Sequence, residues 1–301
     1  MKYQKLVIVL VLSLITVKSV AQLDPIFFNL NVVNPAFVGS KDKLSVGVDY
    51  SLYNFNFDTF KPEFIDSQKI FLANVYTSIT DNIGVGLSFI NVKNGFLKEK
   101  LTLADFSYKL NLSDKSQLRI GFKSGFSTLK IDNTSFILPG GEPDNPNEVG
   151  IKESNLRLGF GFHYKINDFQ AGISIPNIIK AKEFGDSSKI IKLFSAYKFE
   201  LNDLITFEPN IILSIPTSSN VYYYVSGNFE IKNIINIGIN HNKLFSNNNL
   251  NGANVLGIQL SSPLIARIFR VGFVVSFVDN PPFDNSKRLD LFGNFDFNPI
   301  N

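Results

Sequence analysis

The dominant period of this chain is two, and it persists over segments longer than an ordinary soluble sheet needs. Residues 156–166 alternate without a break. Leu156, Leu158, Phe160, Phe162, Tyr164 and Ile166 fall on one face, and Arg157, Gly159, Gly161, His163 and Lys165 on the other. Successive strand side chains point to opposite faces, so this pattern specifies a sheet with one apolar and one polar surface. Ile83–Phe89 repeats it, with Gly84, Gly86 and Ser88 opposite the apolar row. Val271, Phe273, Val275 and Phe277 form another apolar row, and Leu118–Phe122 follows the same rule. The chain has 30 Phe and 10 Tyr, residues that suit a pleated, half-buried surface.

Such segments fall at 43–54, 67–80, 83–93, 100–112, 117–130, 153–166, 169–177, 189–201, 204–215, 220–231, 233–243, 253–262, 267–279 and 288–298. The total of about 14 is even, as in single-chain bacterial outer-membrane barrels. Links after even-numbered segments are tight: Asp81-Asn82, Ser113–Ser116, Asn167-Asp168, Asn202-Asp203, Lys232 and Pro263–Ala266. Links after odd-numbered segments are mostly longer and polar, near 55–66, 94–99, 131–152, 178–188, 216–219, 244–252 and 280–287. Short turns on one rim and long loops on the other are the layout of a membrane barrel. Strand length agrees, since soluble strands run about five or six residues and tilted membrane strands about 9 to 11. Lipid cannot satisfy an exposed backbone amide, so the sheet must close. The expected fold is therefore all-β: a transmembrane, antiparallel, up-and-down barrel over 43–301.

The N-terminus fits that destination. Lys2 and Lys5 precede an apolar run from Leu6 to Val17, and Ser19-Val20-Ala21 supplies small residues at a cleavage site. This is the layout of a secretory signal peptide over 1–21, and the apolar run is short for a spanning helix. Of the 29 Lys and Arg, Lys2, Lys5 and Lys18 would leave with the signal, which brings the mature chain level with its 26 Asp and Glu. No basic excess remains to suggest a nucleic-acid partner. With 0 Cys, a secreted chain must be stabilised by burial or by closed hydrogen bonding.

Residues 22–42 are unlike the strands. Asp24-Pro25 and Asn34-Pro35 are turn formers and Gly39-Ser40 is a further break. The segment is either an ordered arm ahead of the first strand or an arm tucked into the mouth or lumen of the barrel. The pattern Asp24-Pro25, then Asn34-Pro35-Ala36, then Gly39-Ser40 resembles the PorP/SprF family of outer-membrane proteins. The chain's length, signal peptide and train of strands fit the same family. Tyr50–Tyr53 stands where that family often has an Arg- and Trp-containing stretch, and this chain has 0 Trp. The resemblance implies a role in type IX secretion and gliding motility. It implies two partners besides the lipid bilayer: a large secreted adhesin-like client and the secretion machinery of periplasm and outer membrane. The Asn-Pro-Ala piece is also similar to one in long-chain fatty-acid transport barrels, where an N-terminal segment acts as a hatch. That likeness implies the alternative, a transporter or porin for small hydrophobic or polar solutes.

Catalysis has little to work with. His163 and His241 are the 2 histidines, and neither sits near a Gly-x-Ser-x-Gly context that would supply an activated nucleophile. His163 shares a face with Arg157 and Lys165, the face expected to line a polar lumen. Without Cys, two isolated histidines make no zinc set. Asp132, Glu142, Asp144 and Glu148 crowd the longest loop and have calcium-type oxygen ligands, but a solvated acidic loop is the simpler account. No cofactor is expected. Strand glycines such as Gly84, Gly86, Gly159 and Gly161 are expected to leave room in the lumen or to permit curvature.

Overall fold

The computed structural model describes residues 29–41, 43–54, 67–95, 97–131, 152–179, 189–217, 221–231, 234–244, 254–262, 269–279 and 286–297. Residues 1–21, expected as a signal peptide, Asp24-Pro25 and the acidic residues Asp132, Glu142, Asp144 and Glu148 lie outside them.

The strands are β1 (Leu44–Asn54), β2 (Ser67–Ser78), β3 (Ile83–Asn94), β4 (Leu97–Ser113), β5 (Ser116–Ile131), β6 (Lys152–Ile166) and β7 (Phe169–Ile175). They continue as β8 (Ile190–Tyr197, resuming as Phe199–Glu200), β9 (Ile205–Pro216), β10 (Tyr222–Ile231), β11 (Ile235–Leu244), β12 (Asn254–Ser261), β13 (Phe269–Asp279) and β14 (Ser286–Phe297). Each pairs antiparallel with the next. The ladder closes because β1 pairs with β14 from Leu44 opposite Phe297 to Asn54 opposite Lys287. Every strand edge is thereby used, which is what a wall in hydrocarbon requires.

Two local departures have physical causes. β8 breaks at Lys198, beside the stretch of β9 that holds Pro209, a residue with no N–H to give the ladder. Residues 94–99, expected as a longer link, instead lie mostly within strands: β3 ends at Asn94 and β4 begins at Leu97, with Gly95 at φ 56° in the turn. The charges of Lys98-Glu99-Lys100 resemble a loop in sequence, yet they alternate across the wall like any strand.

The barrel is polar inside and apolar outside. On β5 alone, Arg119, Lys123 and Ser127 are each 1% exposed, whereas Phe122 is 47% and Phe126 64% exposed. Water would enforce the opposite arrangement, since buried charges are rare in soluble proteins unless paired. On β1 and β14 the inward set includes Asp49, Ser51, Arg288 and Asp290, with Arg288 bonded to Asp290 at 2.8 Å. Outward, Val48, Tyr50, Leu289 and Leu291 present the apolar surface. This inversion is the signature of a barrel whose surroundings are lipid.

Candidate functional site

The lumen holds a segment of the chain itself. Among the described residues, those preceding β1 form a short helix, α1 (Leu30–Val33), and a 3-10 turn at Pro35–Phe37. From Asn29 to Gly39 every residue except Leu30 is buried. The segment meets the inner face of consecutive strands from β2 to β9.

A helix this short leaves its carbonyls unsatisfied, and buried backbone groups must find partners. The wall supplies them. Lys123 Nζ donates to Asn31 O at 3.0 Å and to Val32 O at 2.7 Å. Ser174 Oγ donates to Val33 O, Ser107 Oγ to Val38 O and Ser78 Oγ to Gly39 O. Asn74 Nδ2 donates to Asn29 Oδ1, and Asn31 Nδ2 to Ser88 Oγ. Asp105, buried at 3.5 Å from Lys123 Nζ, supplies the counter-charge.

Each residue of the Asn34-Pro35-Ala36…Gly39-Ser40 motif has a local reason. Asn34 Oδ1 accepts from Ala36 N at 2.9 Å and caps the turn. Its Nδ2 donates to the carbonyls of Phe162, at 2.8 Å, and Ile173. Pro35, at the first turn position, needs no N–H partner there. Ala36 is fully buried over Gly121, where a Cβ would overlap its amide nitrogen. Gly39 adopts φ 72°, which suits glycine, and brings its backbone against Gly84. Ser40 N closes the turn on Phe37 O.

The strand glycines form the seat for this backbone. A Cβ at Gly84 would overlap Val38 O, and one at Gly161 would overlap Asn34 Oδ1. Gly84, Gly121 and Gly161 thus trace a side-chain-free track across β3, β5 and β6. Gly159 differs: a Cβ there would lie 2.5 Å from Pro176 O, so it serves wall packing.

Two apolar contacts pin the segment on either side of that track. Val32 packs with Ile70, Leu72, Ile90 and Leu103. Phe37 packs with Phe194, Ala196 and Ile212, stands edge-on to Phe194 and faces the His163 ring at 4.1 Å between centroids.

Of the polar residues singled out on β6, His163 meets the arm and bonds through Nε2 to Gln170 at 3.2 Å. Arg157 lies away from it, bonded to Ser127 and Glu99. Lys165 lies opposite Gln117 and Gln170 near the β6–β7 turn. The three do not converge on one centre. His241 bonds to Tyr223 OH on another part of the wall. Among the described residues no cluster of His, Asp or Glu gathers as a metal set. Lys123, Asp105, Ser107 and Ser174 were not evident from sequence, although a lysine between Gly121 and Gly125 on the polar face of a strand is a usable signal.

The family described as "Type IX secretion system membrane protein PorP/SprF" matches residues 16–286. Among curated proteins, none matches. Solved structures share the fold at low identity. The TodX deltaS2S3 mutant monoaromatic hydrocarbon channel is 9% identical, with a TM-score of 0.61, covering 94% of this chain and 96% of that one. The Ralstonia pickettii toluene transporter TbuX is 7% identical, with a TM-score of 0.58, covering 93% and 95%. A Pseudomonas aeruginosa FadL homologue is 12% identical, with a TM-score of 0.53, covering 93% and 95%.

Proposed function

Because the chain belongs to the PorP/SprF family of type IX secretion system membrane proteins, we propose that it is a plugged outer-membrane barrel that anchors a secreted client rather than conducting it. The client is a large adhesin-like protein, and the other partners are components of the secretion machinery. The supporting observation is the seated arm. Asn29–Gly39 occupies the lumen against strands β2 to β9 and takes hydrogen bonds from the wall along its length. A lumen committed to its own chain leaves the rims and loops as the surfaces for partners. Asn34, Pro35, Ala36, Gly39 and Ser40 then act first as the plug's own fold and indirectly in docking, and Asp24 and Pro25, outside the described residues, are assigned to docking with them.

The competing class is a conduit for small solutes. It draws on the fold shared with TodX and TbuX, described as a hydrocarbon channel and a toluene transporter. The wall chemistry disfavours it for apolar cargo. Asp49, Asp105, Lys123, Arg288 and Asp290 are all buried on the inner face, and an apolar solute gains nothing by passing charges.

An affinity pull-down of the tagged chain from mildly solubilised outer membranes, read by mass spectrometry, tests the proposal. It should recover a large secreted protein together with secretion components, and purified barrel in liposomes should pass no small solute. Recovery of no such protein, together with solute flux, would overturn the anchoring role.

A further inference from the structure

Three carboxamide oxygens meet beside a lone buried carboxylate where the arm reaches the seam of the barrel. Asn294 on β14 and Asn74 on β2 each lie directly opposite Gly47 on β1. Asn29, the first described residue of the arm, comes to the same place. A Cβ at Gly47 would lie 2.7 Å from Asn74 Oδ1, 2.8 Å from Asn29 Oδ1 and 2.9 Å from Asn294 Oδ1. Glycine therefore keeps open a space that three oxygens face. Hydrogen bonding fixes which end of Asn74 is turned to it. Asn74 Nδ2 donates to Asn29 Oδ1 at 2.5 Å and to Asn31 Oδ1 at 3.4 Å, which leaves Asn74 Oδ1 toward Gly47.

Buried acceptors need a positive partner. Asn74 is 4% exposed, and among the described residues its Oδ1 accepts no hydrogen bond. Carboxamides also fill the space over Gly238 and Gly257, with two oxygens at the first and one Asn at the second. Gly47 differs in having a third oxygen, from the arm, and a carboxylate two residues along the same face. That carboxylate, Asp49, is 2% exposed. Its Oδ1 lies 3.5 Å from Ser51 Oγ, and its Oδ2 has no partner among the described residues. The charged groups that face it are Asp290 and Arg288. Arg288 is committed to Asp290, with Nε at 2.8 Å and Nη2 at 2.7 Å from Asp290 Oδ1. One buried negative charge is left over, and it requires a counter-ion or a proton. A proton would neutralise Asp49 but leave the carboxamide oxygens unserved. Residues 22–28, just ahead of the arm, contain no Lys or Arg to supply the charge.

Oxygen-only donors select a hard cation. Magnesium keeps several of its waters, and a site closed to solvent has no room for them. A single excess negative charge matches a monovalent ion. We propose that a sodium ion sits over Gly47, held by the side-chain oxygens of Asn29, Asn74 and Asn294 and balanced by Asp49. The ion joins the start of the arm to β14 and β1, beyond the strands that its hydrogen bonds reach. Seating of the arm by an ion is independent of any client, so its test does not bear on the anchoring role.

The test uses the full barrel purified in detergent and carrying Leu30→Cys as its sole thiol, since the chain has 0 Cys. Leu30 adjoins Asn29 and packs against the cluster around Phe37, so its rate of maleimide labelling reports release of the arm. Sodium is titrated against choline at fixed ionic strength. With sodium at about ten times its Kd, labelling should slow about tenfold. Asn294→Leu and Asp49→Asn should each abolish that dependence, while Asn240→Ala, on β11, should keep it. Heat-modifiable gel mobility shows which variants fold, and if Asn294→Leu does not, Asn294→Ala serves in its place. Equal labelling in sodium and choline would overturn the proposal, and is the result expected if the α-ammonium of a cleaved N-terminus filled the site. A sodium effect that survives in both folded variants would overturn it too, because the ion would then lie elsewhere. So would slowing by calcium with none by sodium, which contradicts the charge balance.

Discussion

Lys123 is the side chain on which the arm most depends. It neutralises buried Asp105 and serves two arm carbonyls at once. Removing one partner of a buried pair costs about 3–5 kcal/mol, while removing both with apolar residues of similar size is often nearly neutral. Lys123→Met should therefore lower barrel stability in urea unfolding by an amount in that range, and adding Asp105→Leu should recover much of it. Equal losses in the single and double variants would show that the pair is not the source. Residues of this kind are hard to see in sequence. The Asn34-Pro35-Ala36 motif stands out as a break in the pattern, but its partners lie on strands more than a hundred positions away, as with Phe162 and Ile173. Gly84 and Gly161 were visible as gaps in the polar row. What fills the gap is another stretch of backbone, and period-two reasoning holds no information about it.

At the scale of a strand, the same reasoning worked because the environment is uniform along each face. Lipid meets every second residue of β6, so the apolar row from Leu156 to Ile166 repeats without exception. It failed where one face changes character along its length. Lys98 and Lys100 project outward near the rim, where charge is tolerated, and so a strand end resembles a loop. Depth should then govern tolerance on one face of one strand. Phe160 lies in the middle of β6 and Ser154 near its outer end, and both point outward. Phe160→Arg should cost about 2–4 kcal/mol and Ser154→Arg about 0–1, read as the fraction that inserts with heat-modifiable mobility. Equal costs would contradict the depth assigned to the two positions.

For the whole molecule, the closed ladder and the arm are separable. Fourteen consecutive strand pairs close the wall without any residue of 29–40, so deletion of 24–38 should leave a barrel that folds. Wall groups that served the arm, such as Ser107, Ser174 and Lys123, can turn to water in an emptied lumen at modest cost. Leakage of small solutes after the deletion is therefore expected whether the protein anchors a client or carries a solute, and leakage alone decides nothing. The discriminating readout is the client. If the plugged barrel is an anchoring platform, the deletion should abolish surface display of the adhesin-like protein while the barrel stays in the membrane. Gly121→Val, which drives a side chain into the amide of Ala36, should do the same with the arm still attached. Normal display in both variants, alongside a new solute conductance, would mean that the arm is a hatch and that the lumen is the working part of the protein.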